Sequence, residues 1–267
     1  LRDAAREQLL LPFDISCSIA MQALEGLSYA HQRTGLDGQP LDLVHRDISP
    51  SNLMVNDNGR AQILDFGIAT ASDSLTSDSG TLRGKLAYMS PEQTRDVEVD
   101  RRSDLFSLGI VLYELLTMRR LFRRRGDLDV IRAIVEEPIP DPRSARPELP
   151  GALARVVLGA LQRDPKERPQ SAEALQQELM AAAREAGISI DQRRVRRFLH
   201  RHFSEQLRKR AVTVQEAVQA AEDETDMPTR VEDLPTMPSS PRRRLFLWGG
   251  LGLALTATLG AGATYLL

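Results

Sequence analysis

Residues 104–118, DLFSLGIVLYELLTM, constrain the fold more than any other stretch of the chain. A surface helix carries one apolar stripe, whereas this segment is apolar nearly all the way round, so other elements must enclose it. The neighbouring sequence supplies them. Apolar residues recur at helical spacing over 14–33, with Asp14 as the expected N-cap and Ile15, Ile19, Ala23, Leu27 and Ala30 as the stripe; Gly35 ends the run. Helical patterns return at 127–136, 151–162 and 171–186, and a short apolar strand is expected to end at Val44. NLMVN and AQILD read as two strands joined through DNGR, because Asn58-Gly59 is a strong hairpin signal. The expectation is an α+β, mostly helical domain over residues 1–186 with one small β-hairpin.

Three further zones follow. Residues 187–210 are basic and helical in pattern. Residues 211–244 are polar, acidic and Pro/Thr-rich as far as 241, with too little apolar surface to offset chain entropy, which predicts a disordered linker. Residues 245–267 carry no charge over 23 positions, and a membrane-crossing helix needs about 20. Arg242, Arg243 and Arg244 precede this stretch and place everything N-terminal to it in the cytoplasm by the positive-inside rule. Gly250 with Ala254, or Gly260 with Thr264, would line a face for a homodimer of such helices. The net charge of −2 gives no bulk attraction to nucleic acid, and the single cysteine, Cys17, forms no intrachain disulfide and reads as a small core residue. The chain begins at Leu1 on a polar run without a signal peptide, so further sequence upstream is expected.

The chemistry concentrates in VHRDISPSN, residues 44–52, and in the end of the second hairpin strand. Asp47 and Asn52 frame one short loop, and Asp65, followed by Phe66-Gly67, closes the second strand. Strands side by side would bring Asp65 and Asn52 to one pocket. Their oxygens suit hard Mg²⁺ ions, while Asp47 stays free to receive a hydroxyl proton.

HRDISPSN (45–52), DFG (65–67), YMSPE (88–92), SDLFSLGIVLYELLT (103–117) and RDPKERP (163–169) occur in that order. Together they resemble the C-terminal lobe of the eukaryotic-type protein kinases, in particular the bacterial membrane-bound Ser/Thr kinases, over residues 1 to about 186. The resemblance implies transfer of the ATP γ-phosphoryl group to Ser/Thr hydroxyls of protein substrates. It makes Asp47 the hydroxyl-orienting base, Asn52 and Asp65 the holders of magnesium, and Met54 the floor beneath adenine, or simply a packing residue. His45 and Phe66 would stack in the core linking the site to Asp104, whose carboxylate would accept hydrogen bonds from the catalytic-loop backbone. Glu92 and Arg168 would form a buried ion pair tying the activation segment to the lobe. Arg46 would pair with a phosphate on Ser72, Ser74, Thr76, Ser77, Ser79 or Thr81. Small-molecule phosphotransferases share the acid-to-asparagine spacing, but the SPE segment and the long loop before it point to a protein substrate.

The sequence departs from the family in three ways. Ser49 stands where these kinases carry a lysine, and Lys85, in GKLAY, stands where they carry a threonine. A lysine stem spans about 6 Å, so its ammonium could reach the same spot from across the site. One reading is an exchange in which Lys85 supplies the charge and Ser49 the hydroxyl. The other is that Ser49 marks a weakened enzyme and Lys85 is a solvated loop charge. For the protein as a whole the rival function is a membrane-tethered pseudokinase serving as a scaffold. Third, no glycine-rich phosphate loop, strand lysine or partner glutamate is found, so the upper lobe is expected to be missing and activity to require the full-length protein.

From Arg193 to Arg210 there are eight Lys/Arg and one acid, Glu205. Val195, Leu199, Phe203 and Leu207, with Phe198 beside them, give this segment an amphipathic pattern. It would pack its stripe on the lobe and leave a solvated basic face, or dock on anionic lipid; nucleic-acid binding finds no motif. In the linker, Thr229 and Thr236 lie in MPTRVEDLPTMP, where phosphothreonine would recruit a phospho-reading domain.

Overall fold

The computed structural model describes residues 9–65, 85–95 and 97–225, with side chains in all but part of the final helix. The chain divides into two compact units, residues 1–215 and 216–267, and the site lies in the first. The elements in order are α1 (Phe13–His31), β1 (Leu53–Val55), β2 (Ala61–Ile63), α2 (Pro91–Thr94), α3 (Arg101–Thr117), α4 (Asp127–Val135), α5 (Pro142–Ala145), α6 (Gly151–Ala160), a 3₁₀ turn (Pro165–Glu167), α7 (Ala172–Glu185), α8 (Gln192–His202) and α9 (Ser204–Thr225).

The all-round apolar segment is the centre of the core. Every residue of α3 from Ser103 to Thr117 is buried, and α1, α5 and α6 pack against it. Two of its buried hydroxyls are satisfied within the helix, Ser107 donating to the Ser103 carbonyl and Thr117 to that of Tyr113, and a third, Ser103, donates to Glu92. Asp100 caps the N-terminus through the Arg102 N–H, and Met118 closes the C-terminus in a left-handed conformation. Gly109 lets α6 approach closely, since a Cβ there would lie 3.0 Å from the Ala160 Cβ. The expected stripe of α1 is buried in full, together with Cys17, Ala20 and Leu24. Burial pushes the Cys17 thiol up to about 12, with Asp14 adding to the shift, so it behaves as an apolar core group.

Four sequence expectations need correction. Asp14 does not cap α1; Pro12 occupies the N-cap position and makes no side-chain cap. Asp14 lies in the first turn, where a carboxylate complements the helix dipole, and pairs with Arg194. No strand ends at Val44. Residues 41–47 follow an irregular path, because the backbone N–H groups of His45 and Arg46 bond to Asp104 and form no strand ladder. The basic segment is two helices, broken at Phe203, whose φ of −131° is not helical. Finally, residues 211–225, expected to begin the disordered linker, are helical within α9. That stretch, AVTVQEAVQAAEDET, is rich in Ala, Gln and Glu and contains neither Gly nor Pro, so local propensity outweighs its low apolar content. Among the described residues no helix is long and apolar enough to cross a membrane; residues 245–267 lie outside them.

The hairpin is antiparallel, with Leu53 opposite Ile63, Met54 opposite Gln62 and Val55 opposite Ala61. Its turn is held from behind. Gln22 of α1 accepts from the Ala61 N–H at 3.0 Å and donates to the Gly59 carbonyl, while Gln192 and His200 of α8 bond to the carbonyls of Asn58 and Asp57. Ser18 of α1 in turn accepts from the Asp191 N–H at 3.0 Å. Val195 and Phe203 are buried and Phe198 and Leu199 pack against the core, so this stripe packs on the lobe.

Gly59 sits at φ +77°, and a Cβ there would fall 2.5 Å from the Arg196 backbone nitrogen. Gly59→Ala therefore strains the turn and expels α8, at a cost of about 2 kcal/mol or more. Hydrogen exchange should show residues 192–202 exchanging faster while α3 stays protected. Unchanged protection of α8 would contradict the bracing role.

Candidate active site

The site is organised by Asp104, in the first turn of α3 and only 1% exposed. Its Oδ2 accepts from the His45 N–H and its Oδ1 from the Arg46 N–H, both at 2.8 Å. A third contact, 2.8 Å to Oδ2, comes from His31 Nε2 at the end of α1. These bonds fix Arg46 at φ +65°, a conformation that costs a non-glycine residue about 1 kcal/mol or more. His45 is fully buried. Its Nδ1 accepts from the Asp47 N–H at 3.3 Å, which leaves Nε2 to donate to the Leu64 carbonyl at 3.0 Å. The imidazole thereby joins the catalytic loop to the end of the hairpin, one residue before Asp65. The Leu64 N–H also bonds to the Asn52 carbonyl at 2.8 Å, so the hairpin brings the Asn52 and Asp65 backbones to neighbouring positions. Asp65 too has positive φ, +55°, and its side chain is exposed.

Asp47 has two side-chain partners. Asn52 Nδ2 donates to its Oδ2 at 3.0 Å and to its backbone carbonyl at 2.8 Å. Lys85 Nζ reaches the same Oδ2 at 2.6 Å. An ammonium group, that of Lys85, therefore stands at the Asp47 carboxylate. Ser49 differs from expectation. It is buried, its hydroxyl pairs with Ser51 at 2.7 Å, and it makes no hydrogen bond to Asp47 or Lys85. A buried serine two positions from another hydroxyl bonds locally and does not reach into the site. Met54 is 49% exposed on the open face of β1, while Leu53 and Val55 pack on the core, so a role in core packing is not observed.

The oxygens suit a hard cation. Asn52 uses its amide nitrogen on Asp47, leaving its side-chain oxygen unpaired among the described residues, and the exposed Asp65 carboxylate lies two residues past the end of β2, not within the strand as expected. Among the described residues no group of three or more His, Cys, Asp or Glu could hold a metal.

Glu92 and Arg168 form the expected ion pair, bidentate at 2.6 and 2.8 Å. Arg168 also donates to the carbonyls of Gln162, Arg102 and Arg163, which satisfies all five guanidinium N–H groups, and it stacks on Phe106. Burial works to raise the Glu92 pKa, but the hydrogen bonds from Arg168 and Ser103 and the Arg168 charge outweigh it and hold the carboxyl below its ordinary value. Gln93, in the capping box that starts α2, donates to the Arg46 carbonyl at 2.8 Å and ties this helix to the catalytic loop.

Sequence reasoning missed His31, Ser103 and Gln93: His31 has no local motif, Ser103 opens SDLFSLGIVLYELLT without a role being read for it, and for Gln93 the S-x-x-Q capping-box spacing from Ser90 was the available signal. It also missed Glu114, whose Oε2 accepts from Tyr88 at 2.7 Å. Burial pushes both of these groups up, and an acid inside YELL was the available signal. Phe66, Gly67, Ser72, Ser74, Thr76, Ser77, Ser79, Thr81, Thr229 and Thr236 lie outside the described residues.

Comparison with known proteins agrees with this geometry. Residues 1–180 match the family model described as the protein kinase domain, and the chain belongs to that family. It is 41% identical over 207 residues to the tyrosine-protein kinase MasK of Myxococcus xanthus, covering 77% of this chain and 32% of that protein. It is 32% identical over 192 residues to a probable serine/threonine-protein kinase, CPE1738, of Clostridium perfringens, covering 71% and 27%. With the serine/threonine-protein kinase PrkC of Bacillus subtilis it shares 32% over 166 residues, covering 62% and 24%. The chain thus spans about a third or less of the length of each of these relatives.

Removing the Arg168 side chain strands a buried carboxylate. Arg168→Ala should lose roughly 3–5 kcal/mol in denaturant unfolding. Because the Glu92 pKa is lowered from 4.5, its contribution is complete above that pH and fades as pH falls through the lower folded value. Glu92→Gln should flatten that part of the acid limb; an unchanged limb would contradict the assignment.

Proposed function

We propose that the complete protein transfers the γ-phosphoryl group of ATP to hydroxyl groups of protein substrates, and that Lys85 supplies the charge usually provided within the catalytic loop. The observation that carries this is the 2.6 Å contact between Lys85 and Asp47, on a loop locked by Asp104. Asp47 orients the attacking hydroxyl and receives its proton as the oxygen bonds to the γ-phosphorus and the bond to the ADP oxygen breaks. Lys85, 46% exposed and anchored at one carboxylate oxygen, is near enough to offset negative charge on the moving phosphoryl group. Asn52 and Asp65 would hold Mg²⁺, which when bound neutralises phosphate charge. Met54, exposed on β1, offers an apolar floor for adenine.

Two of the three relatives described above carry Ser/Thr kinase names, and MasK carries a tyrosine kinase name. We take Ser/Thr as the acceptor, on the resemblance of the SPE segment. The uncharged run 245–267 behind three arginines supports a single-pass protein with its kinase domain in the cytoplasm, at a bacterial inner membrane. Ser49, buried without a cation at its position, favours the scaffold reading, but Asp47, Asn52 and Asp65 are all present and favour the enzyme.

In the complete protein, Lys85→Ala should lower kcat about 100-fold or more with a smaller effect on ATP binding. Near-normal turnover would refute the role of Lys85. Phosphoamino acid analysis of the substrate should return phosphoserine or phosphothreonine; phosphotyrosine alone would overturn the acceptor assignment. Phosphopeptide mapping of active protein should find phosphate between residues 68 and 85 if Arg46 acts as an anchor there. A clean loop would remove that idea.

A further inference from the structure

Helix α8 presents two unlike faces. Val195, Phe198 and Leu199 turn toward the lobe, and Gln192 and His200 bond the hairpin turn. On the other side Arg193, Arg197 and Arg201 stand at spacings of four, one above the next, while Arg196 lies between Gln192 and His200 on the face toward the hairpin turn. All four are exposed, and none has an acidic partner among the described residues. No Asp or Glu occurs between Gln192 and His202. The α8 stripe is therefore an uncompensated guanidinium surface on a helix that cannot rotate, because its opposite face is fixed to the core.

We propose that this stripe docks on an anionic lipid surface. The occupant follows from charge and from chain connectivity, and in the second respect it rests on the membrane-span reading given above. Arg242 follows His202 by 40 positions and opens directly onto the uncharged run, which keeps α8 covalently close to the bilayer. Basic residues near an anionic surface contribute about 1 kcal/mol each. Three guanidinium groups in register on a helix fixed to the core suit the phosphates of lipid headgroups, and bidentate geometry strengthens each contact. Docking would also fix the orientation of the hairpin, since the same helix holds the Asn58 and Asp57 carbonyls from behind.

The test uses the full chain in vesicles. A bimane dye is attached at Ser204→Cys; Cys17 is fully buried and does not label. A lipid spin-labelled at the headgroup quenches the dye when α8 lies on the surface. Vesicles containing about 30% phosphatidylglycerol should quench at least threefold more than pure phosphatidylcholine. Raising salt to about 0.5 M should abolish the difference. The triple substitution Arg193→Gln, Arg197→Gln, Arg201→Gln should abolish it as well. Equal quenching in both lipids, or no effect of salt on the unsubstituted chain, would overturn the proposal, and the salt arm decides even if the triple variant fails to fold. Flotation with neutral vesicles reads the span separately. A chain that fails to float there loses the span reading, and salt-sensitive flotation on anionic vesicles then tests the docking alone.

Discussion

Asp104 is a carboxylate in the first turn of a helix that is otherwise almost wholly apolar, and it is nearly inaccessible to water. Burying such a charge costs several kcal/mol unless its oxygens are satisfied. The His45 and Arg46 backbone N–H groups and the His31 ring provide that satisfaction. The loop is therefore held by the most completely buried of the described helices, and two unfavourable features persist because of it. Arg46 keeps a left-handed backbone, and the loop gives up strand pairing over residues 41–47. The same clamp places Asp47 and Asn52, and through His45 it reaches the carbonyl preceding Asp65.

Much of this was legible in the sequence where local pattern and chemistry coincide. The buried α3, the hairpin at Asn58-Gly59 and the Glu92–Arg168 pair each follow from periodicity, turn chemistry or a recognised motif. What was not legible is set by contacts between distant segments. The break at Phe203 has no Gly or Pro to announce it, and the helical run through 211–225 lies in a segment whose polarity suggested disorder. His31 carries no motif of its own, and the capping-box spacing of Gln93 does not announce its bond to the catalytic loop; both matter because the fold sets them against Asp104 and Arg46. Ser49 was expected to turn toward the site, but a closer hydroxyl, Ser51, captures it.

The unusual charge distribution at the site also gains a physical form. A lysine within the catalytic loop would be fixed by the loop itself, whereas Lys85 belongs to the segment leading into α2. That segment is tied to the lobe through Glu92–Arg168 and to the catalytic loop through Gln93. On the proposed role of Lys85, the charge that would assist transfer would depend on the order of the segment leading into α2, so ordering and charge supply would become one event.

The central claim is that the cation has moved from position 49 to position 85. It is tested most directly by moving it back in the complete protein and measuring kcat with saturating ATP. Lys85→Thr alone should be slow, and adding Ser49→Lys should restore most of the lost turnover. A folded, ATP-binding double variant that stays as slow as Lys85→Thr would contradict the account.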